Sequence, residues 1–135
     1  MRGLVAILAL ASACDRVAYG SSADVADILA AHGVTAPSLV CRNPAYEDGA
    51  IVRAVACTTT LTPAEVETLR ATVPLAPGTP RSSAPVHNCA TRIAARAEVL
   101  VGANTRVANG VGPIALYHDR TSGEACVEIT YPWSE

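Results

Sequence analysis

The sequence EACVEITYP, residues 124–132, predicts a β-strand whose two faces have different surroundings. Its apolar positions are Ala125, Val127, Ile129 and Tyr131, and the positions between them are Cys126, Glu128 and Thr130. Because successive side chains of a strand point to opposite faces, the apolar set predicts the side that faces the core. Cys126 lies off that face, so we expect it to form a disulfide with a neighbouring segment.

The residues before this strand predict an antiparallel meander. Between residues 91 and 133, apolar runs alternate with turn signals near Ala103-Asn104, near Asn109-Gly110 and in DRTSGE, residues 119–124. This pattern indicates three or four strands. Residues 91–100 are equally compatible with a helix, since alanine and arginine favour that state.

Two short helices are predicted upstream. The first is SSADVADILAAHG, residues 21–33, in which Ser21 and Asp24 have capping-box spacing and Gly33 stands where a C-terminal cap belongs. The second is LTPAEVETLRATV, residues 61–73, in which Thr62 is the N-cap and Pro63 occupies the first helical position. Glu65 completes its capping box, and Val66, Leu69 and Val73 form its apolar stripe.

Residues 37–60 predict a β-hairpin, because two apolar runs flank a turn signal at Asp48-Gly49. With Gly49 near the tip, Cys41 and Cys57 come opposite one another. Among the three pairings open to four cysteines, we therefore prefer Cys41–Cys57 with Cys89–Cys126. The order of helix, hairpin, helix and meander predicts a single α+β domain over residues 21–135, stapled by two disulfides.

The N-terminus predicts export. Arg2 precedes an apolar run of ten residues, 4–13, which is typical of a secretory signal and too short to cross a bilayer. The stretch LASAC, residues 10–14, resembles the lipobox of bacterial lipoproteins. That resemblance implies a signal peptide over 1–13, a lipid on Cys14 and a tether over 14–20. Cleavage after ASA or after AYG, giving a freely secreted protein, and no processing at all remain open alternatives.

The cysteine count agrees with export. The chain has five cysteines, an odd number that would leave one reactive thiol in an oxidising compartment. Removal or lipidation of Cys14 leaves four that can pair into two disulfides: Cys41, Cys57, Cys89 and Cys126. Such bonds would help to stabilise the core, because the chain has no phenylalanine and one tryptophan, and small aliphatic side chains bury little area each.

Residues 74–85 form a proline-rich stretch, PLAPGTPRSSAP, that predicts an extended exposed loop carrying Arg81. The simplest interpretation is a connector. An alternative is that the loop binds a protease as a pseudo-substrate, which would make the protein a secreted protease inhibitor.

Motifs for catalysis, metal binding or cofactor binding are absent from the sequence. His32 suits the negative end of the first helix, which favours a structural role. His87 lies two residues before Cys89, and His118 precedes Asp119 at a strand end. A small hydrolase using His87 or His118 is therefore a further alternative, although adjacent strand residues point to opposite faces.

The charges exclude one class of partner. Ten arginines and no lysine are set against twelve acidic residues, for a net charge of −2, and no basic cluster of the kind that binds nucleic acid occurs.

Taken together, these features predict an exported, lipid-anchored, non-enzymatic binding or interaction domain of the bacterial cell envelope, facing the periplasm or the exterior. Its partners would be the membrane, through the lipid at Cys14, and a protein or small molecule.

Overall fold

A computed structural model of the chain describes residues 22–36, 38–44, 53–78, 88–93, 96–107 and 110–131, with only the backbone for 103–107 and 110–112. The predicted α+β class is confirmed. The helices are α1 (Ser22–Ala31), α2 (Pro63–Thr72) and α3 (Cys89–Arg92). The strands are β1 (Val40–Arg42), β2 (Ala54–Thr60), β3 (Ala76–Pro77), β4 (Glu98–Val107), β5 (Gly110–His118) and β6 (Glu124–Thr130). They form one antiparallel sheet in the order β1-β2-β6-β5-β4-β3.

Helix α1 ends at the predicted glycine. Gly33 has a φ of +78°, a conformation that a residue without Cβ adopts freely. Its N–H bonds to Ala30 O, and the N–H of Val34 bonds to Leu29 O at 2.8 Å. These two bonds define a Schellman motif, and the buried side chains of Leu29 and Val34 supply its apolar contact. The predicted cap at Ser21 lies outside the described residues.

Helix α2 begins as predicted. The Thr62 hydroxyl accepts a hydrogen bond from the N–H of Glu65 at 3.2 Å, and the Glu65 carboxylate accepts one from the N–H of Thr62 at 2.9 Å. This reciprocal pair satisfies two donors that the helix itself leaves free. The predicted stripe of Val66, Leu69 and Val73 is buried.

The hairpin and both disulfides are confirmed. Cys41 is directly opposite Cys57 in the β1–β2 pair, and the two are bonded. Cys89 is bonded to Cys126. The predicted turn at Asp48-Gly49 lies outside the described residues.

The meander has three strands, and one predicted turn is wrong. Ala103-Asn104 lies inside β4, where the pairing with β5 shifts register between Gly102 and Thr105. A bulge there accommodates one extra residue of β4 without reversing the chain. The reversal near Asn109-Gly110 is confirmed, because Val107 pairs with Gly110. The ambiguous stretch 91–100 is divided, since α3 ends at Arg92 and β4 begins at Glu98.

The turn between β5 and β6 is also confirmed. The N–H of Gly123, whose φ is +78°, bonds to Asp119 O at 2.8 Å. The carboxylate of Asp119 accepts a hydrogen bond from the N–H of Thr121 at 2.9 Å, which is an Asx turn.

The proline-rich stretch needs a correction at its start. Ala76 and Pro77 pair with Val101 and Leu100 of β4, and the N–H of Gly78 bonds to Val99 O at 2.9 Å. The stretch therefore begins as an edge strand, where a proline costs no ladder hydrogen bond on the solvent side. Residues 79–87 lie outside the described part of the chain.

The sheet has two different faces. One is packed under α1 and α2 by the main core, which includes Val25, Leu29, Val55, Leu69, Leu116, Val127 and Ile129. The other carries a smaller cluster of Ala56, Cys89, Ile93, Val99, Tyr117 and Cys126 beneath α3. Cys126 therefore lies off the main apolar face, as the strand alternation predicted. None of the described helices is long and apolar enough to span a bilayer.

Candidate ligand-binding groove

A single cross-strand row runs over the face of the sheet that carries α3. Successive partners in it are Arg42, Ala56, Glu128, Ala115, Val101 and Ala76, one from each strand. Directly paired residues of an antiparallel sheet point to the same side, so these six side chains share one face. Three of them are alanines, which leave space above the sheet.

This face is also poorly covered by helices. Two ten-residue helices cover the opposite face, whereas α3 has four residues and packs over β2 and β6. The strands farther from α3 therefore carry a groove of about 470 Å³, within the usual range for small-molecule sites. The groove is lined by Pro74, Ala76, Val101, Gly102, Pro113, Ile114, Ala115, Tyr117, Glu128 and Thr130.

Apolar atoms make up most of the groove wall, and a few polar groups interrupt it. Val101 is 37% exposed and lies between Ala76 and Ala115 in the row. Gly102 contributes its backbone to the floor, since by strand alternation a Cβ there would point to the main core on the other face, within 3.0 Å of Ile114 Cγ2. At the end near α3 lies Glu128, which is 6% exposed and accepts a hydrogen bond from the N–H of Cys89 at 3.3 Å. A few polar groups in an apolar cleft fix a ligand's orientation, so this arrangement is chemically suited to an amphiphilic molecule.

Helix α3 is fixed to the sheet from both sides. The Asn88 side chain caps it by accepting the N–H of Thr91 at 2.9 Å, and Cys89 is bonded to Cys126. From its last turn, Arg92 donates to Ala56 O, to Val40 O at 2.7 Å and to Thr58 Oγ1 at 3.1 Å. Partial burial and the positive charge of Arg42 lower the pKa of Arg92 from its usual value.

His118 lies on the opposite face, at the end of β5. It is 1% exposed, and its Nε2–H donates to Leu61 O at 3.1 Å, while Nδ1 has no hydrogen-bond partner among the described residues. A cavity of about 320 Å³ lies beside it, lined by Pro63, Val66, Glu67, His118 and Arg120. The bond to a main-chain carbonyl and the deep burial hold this ring in place at the end of β5.

Asp119 does not act as a partner for His118. Its carboxylate is engaged by the turn, and the N–H of Thr121 is the main cause of its lowered pKa. Hydrogen bonds from Ser122 and the charge of Arg96 lower this pKa further, whereas burial opposes them. His118 and Asp119 therefore belong to two separate networks, as the strand geometry predicted.

The other predicted site residues divide into two groups. Cys14, Arg81 and His87 lie outside the described residues, and His32 is half-buried directly after α1. The cysteines at 41, 57, 89 and 126 form the two disulfides. Within the described ranges, no group of three His, Cys, Asp or Glu side chains is placed to hold a metal ion.

Sequence reasoning did not predict the groove. Ala56, Ala76 and Ala115 are unremarkable singly, and only the strand pairing places them in one row with Glu128. The one available signal was Glu128 itself, an acidic residue among apolar ones in the strand EACVEITYP. A buried carboxylate is rare enough to mark a position of interest.

Comparison with known proteins found no matching family model, no matching curated protein and no matching solved structure.

Proposed function

We propose that the protein is an exported, non-enzymatic binding domain, and that its groove holds the apolar part of a small amphiphilic molecule. The observation that carries the proposal is the groove of about 470 Å³, with its apolar wall and the Glu128 carboxylate at one end. A cleft of this size with a mainly apolar wall is typical of small-molecule sites, which favours ligand binding over a purely structural role.

The test uses N-phenyl-1-naphthylamine, a neutral apolar amine whose fluorescence rises when it leaves water. The wild-type protein is expected to bind it saturably. Ala115→Phe fills the centre of the groove and should abolish binding, whereas Ala71→Phe on the exposed side of α2 is the matched control and should not. Equal binding by wild type and Ala115→Phe would refute the groove as the site.

A second pair of variants covers the case in which Ala115→Phe does not fold. Val101→Asp places a charge on the groove wall, and Val40→Asp makes the same change at the far edge of the sheet, where the side chain is 58% exposed. We expect the dye to bind more weakly to the first variant only, because an apolar ligand must then displace a hydrated carboxylate.

Export is supported by the two disulfides, which are compatible with an oxidising compartment. We further propose that Cys14 carries the lipid that anchors the domain to the membrane. Mass spectrometry of the mature N-terminus tests this point. A lipid-bearing peptide that begins at Cys14 is expected, whereas a mature start at Ser21 or an intact Met1 would contradict the anchor.

Inhibition of a protease through residues 74–85 is the second candidate function. It is favoured by two attachments to the sheet on either side of Arg81: within the segment, Gly78 bonds to the β4 backbone, and after it Cys89 is bonded to β6. Fixed ends reduce the entropy that such a segment loses on binding. If the candidate holds, Arg81→Ala abolishes inhibition of a protease that cleaves after arginine, while Arg70→Ala on α2 leaves it unchanged.

A further inference from the structure

Two arginines, Arg42 of β1 and Arg92 of α3, lie on the same face of the molecule, near the edge of the sheet farthest from the groove. Arg42 is directly opposite Ala56, and the carbonyl of Ala56 accepts a hydrogen bond from the guanidinium of Arg92. Cys41, the neighbour of Arg42, points to the main core together with Cys57. By strand alternation, Arg42 therefore points to the face on which α3 carries Arg92.

Arg92 is held in place by the fold. Its bonds to Val40, Ala56 and Thr58 join α3 to both β1 and β2, and the Cys89–Cys126 disulfide fixes the start of α3. These bonds use Nη1 and Nη2, which leaves the Nε–H and the second Nη1–H as further donors. A guanidinium that is already positioned loses little side-chain entropy when it binds a ligand.

Carboxylates do not neutralise this pair within the described chain. Arg42 is exposed and forms no ion pair with a described residue, and the ion pair of Arg120 with Glu98 belongs to the far end of β4. Glu128 lies directly opposite Ala56 in the row and accepts a hydrogen bond from the N–H of Cys89, but it forms no ion pair with Arg42 or Arg92. The pKa of Arg92 is lowered by burial and, in part, by the positive charge of the nearby Arg42.

We infer that Arg42 and Arg92 form a binding site for an oxyanion, the carboxylate or phosphate group of a small molecule. The exposed guanidinium of Arg42 can donate a pair of N–H bonds whose spacing matches the oxygens of these anions. Arg92 can add a single charged N–H bond, because both hydrogens of its Nη2 are already donated to Val40 O and Thr58 Oγ1. An oxyanion between the two would also remove their mutual repulsion. The site is separate from the groove and does not depend on the proposed ligand there.

The experiment is an NMR titration of the full chain with inorganic phosphate, and separately with acetate, at constant ionic strength. The probes are the Nε–H signals of the arginines. Saturable shifts are expected for Arg42 and Arg92 and not for Arg70, which lies on α2 over the other face. The two arms decide whether phosphate or carboxylate is preferred.

Arg42→Gln tests the pair without removing the structural bonds of Arg92. Loss of one charged donor group is expected to weaken binding about tenfold. Arg70→Gln makes the same change of charge and should leave the affinity as in wild type. Shifts that rise linearly without saturation, or an affinity that Arg42→Gln leaves unchanged, would overturn the inference.

Discussion

Glu128 accepts a hydrogen bond from the backbone N–H of Cys89 at 3.3 Å, which ties the central strand β6 to the first residue of α3. The carboxylate is buried, so loss of this acceptor leaves a buried donor unsatisfied. We expect Glu128→Ala to lower the free energy of unfolding by about 1–3 kcal/mol. Glu128→Gln keeps an oxygen acceptor and should cost less. Urea unfolding measures both, and equal losses would show that the hydrogen bond contributes little.

The two disulfides are expected to differ in their contribution. In the chain-entropy model, removal of the bond between Cys41 and Cys57, which are 16 residues apart, costs about 3 kcal/mol. Removal of the bond between Cys89 and Cys126, 37 residues apart, costs about 4 kcal/mol and also releases α3 with Arg92. Unfolding of the two Cys→Ala double variants measures which disulfide contributes more to the free energy of unfolding. A larger loss of stability on removal of the Cys41–Cys57 bond would contradict the prediction.

The capping box of α2 gives a local test of stability. Thr62→Ala removes the side-chain acceptor for the N–H of Glu65 and should lower the free energy of unfolding by about 1 kcal/mol. The matched control is Thr68→Ala, an exposed threonine within α2 whose hydroxyl donates to Ala64 O. Thermal unfolding of both variants is the measurement. A Thr62→Ala protein as stable as wild type would mean that the box is not formed in solution.

The turn around Asp119 predicts part of the acid sensitivity. Because hydrogen bonding lowers the pKa of Asp119 in the folded chain, its carboxylate contributes stability above the usual aspartate pKa of 3.8. That contribution is lost as the pH falls through the lower, folded-state pKa. Asp119→Asn keeps an acceptor for the N–H of Thr121 but removes the charge.

Unfolding free energies measured from about pH 6 to about pH 3 should therefore fall less steeply in Asp119→Asn than in wild type. Asp27→Asn, which removes an exposed carboxylate from α1, is the matched control for the change in net charge. If the unfolding free energy of Asp119→Asn falls with pH as steeply as that of wild type, the acid sensitivity arises from other groups in the chain.

Local signals predicted most of the fold. The caps at Thr62 and Gly33 depend on residues within one helical turn, and the side of Cys126 follows from strand alternation. The register shift near Ala103-Asn104 and the edge strand at Ala76–Pro77 depend on partners in β5 and β4 that local patterns do not specify. The groove depends on the pairing of all its strands, so it required the structure.

The most direct test of the proposed function is to map N-phenyl-1-naphthylamine onto the backbone amides by NMR. We expect saturable shifts that cluster on β4, β5 and β6 around Val101, Ala115 and Thr130, which line the groove. Amides of α1 and α2 on the other face should remain unchanged. Absence of saturable binding, or shifts centred on the helical face, would contradict a ligand-binding groove.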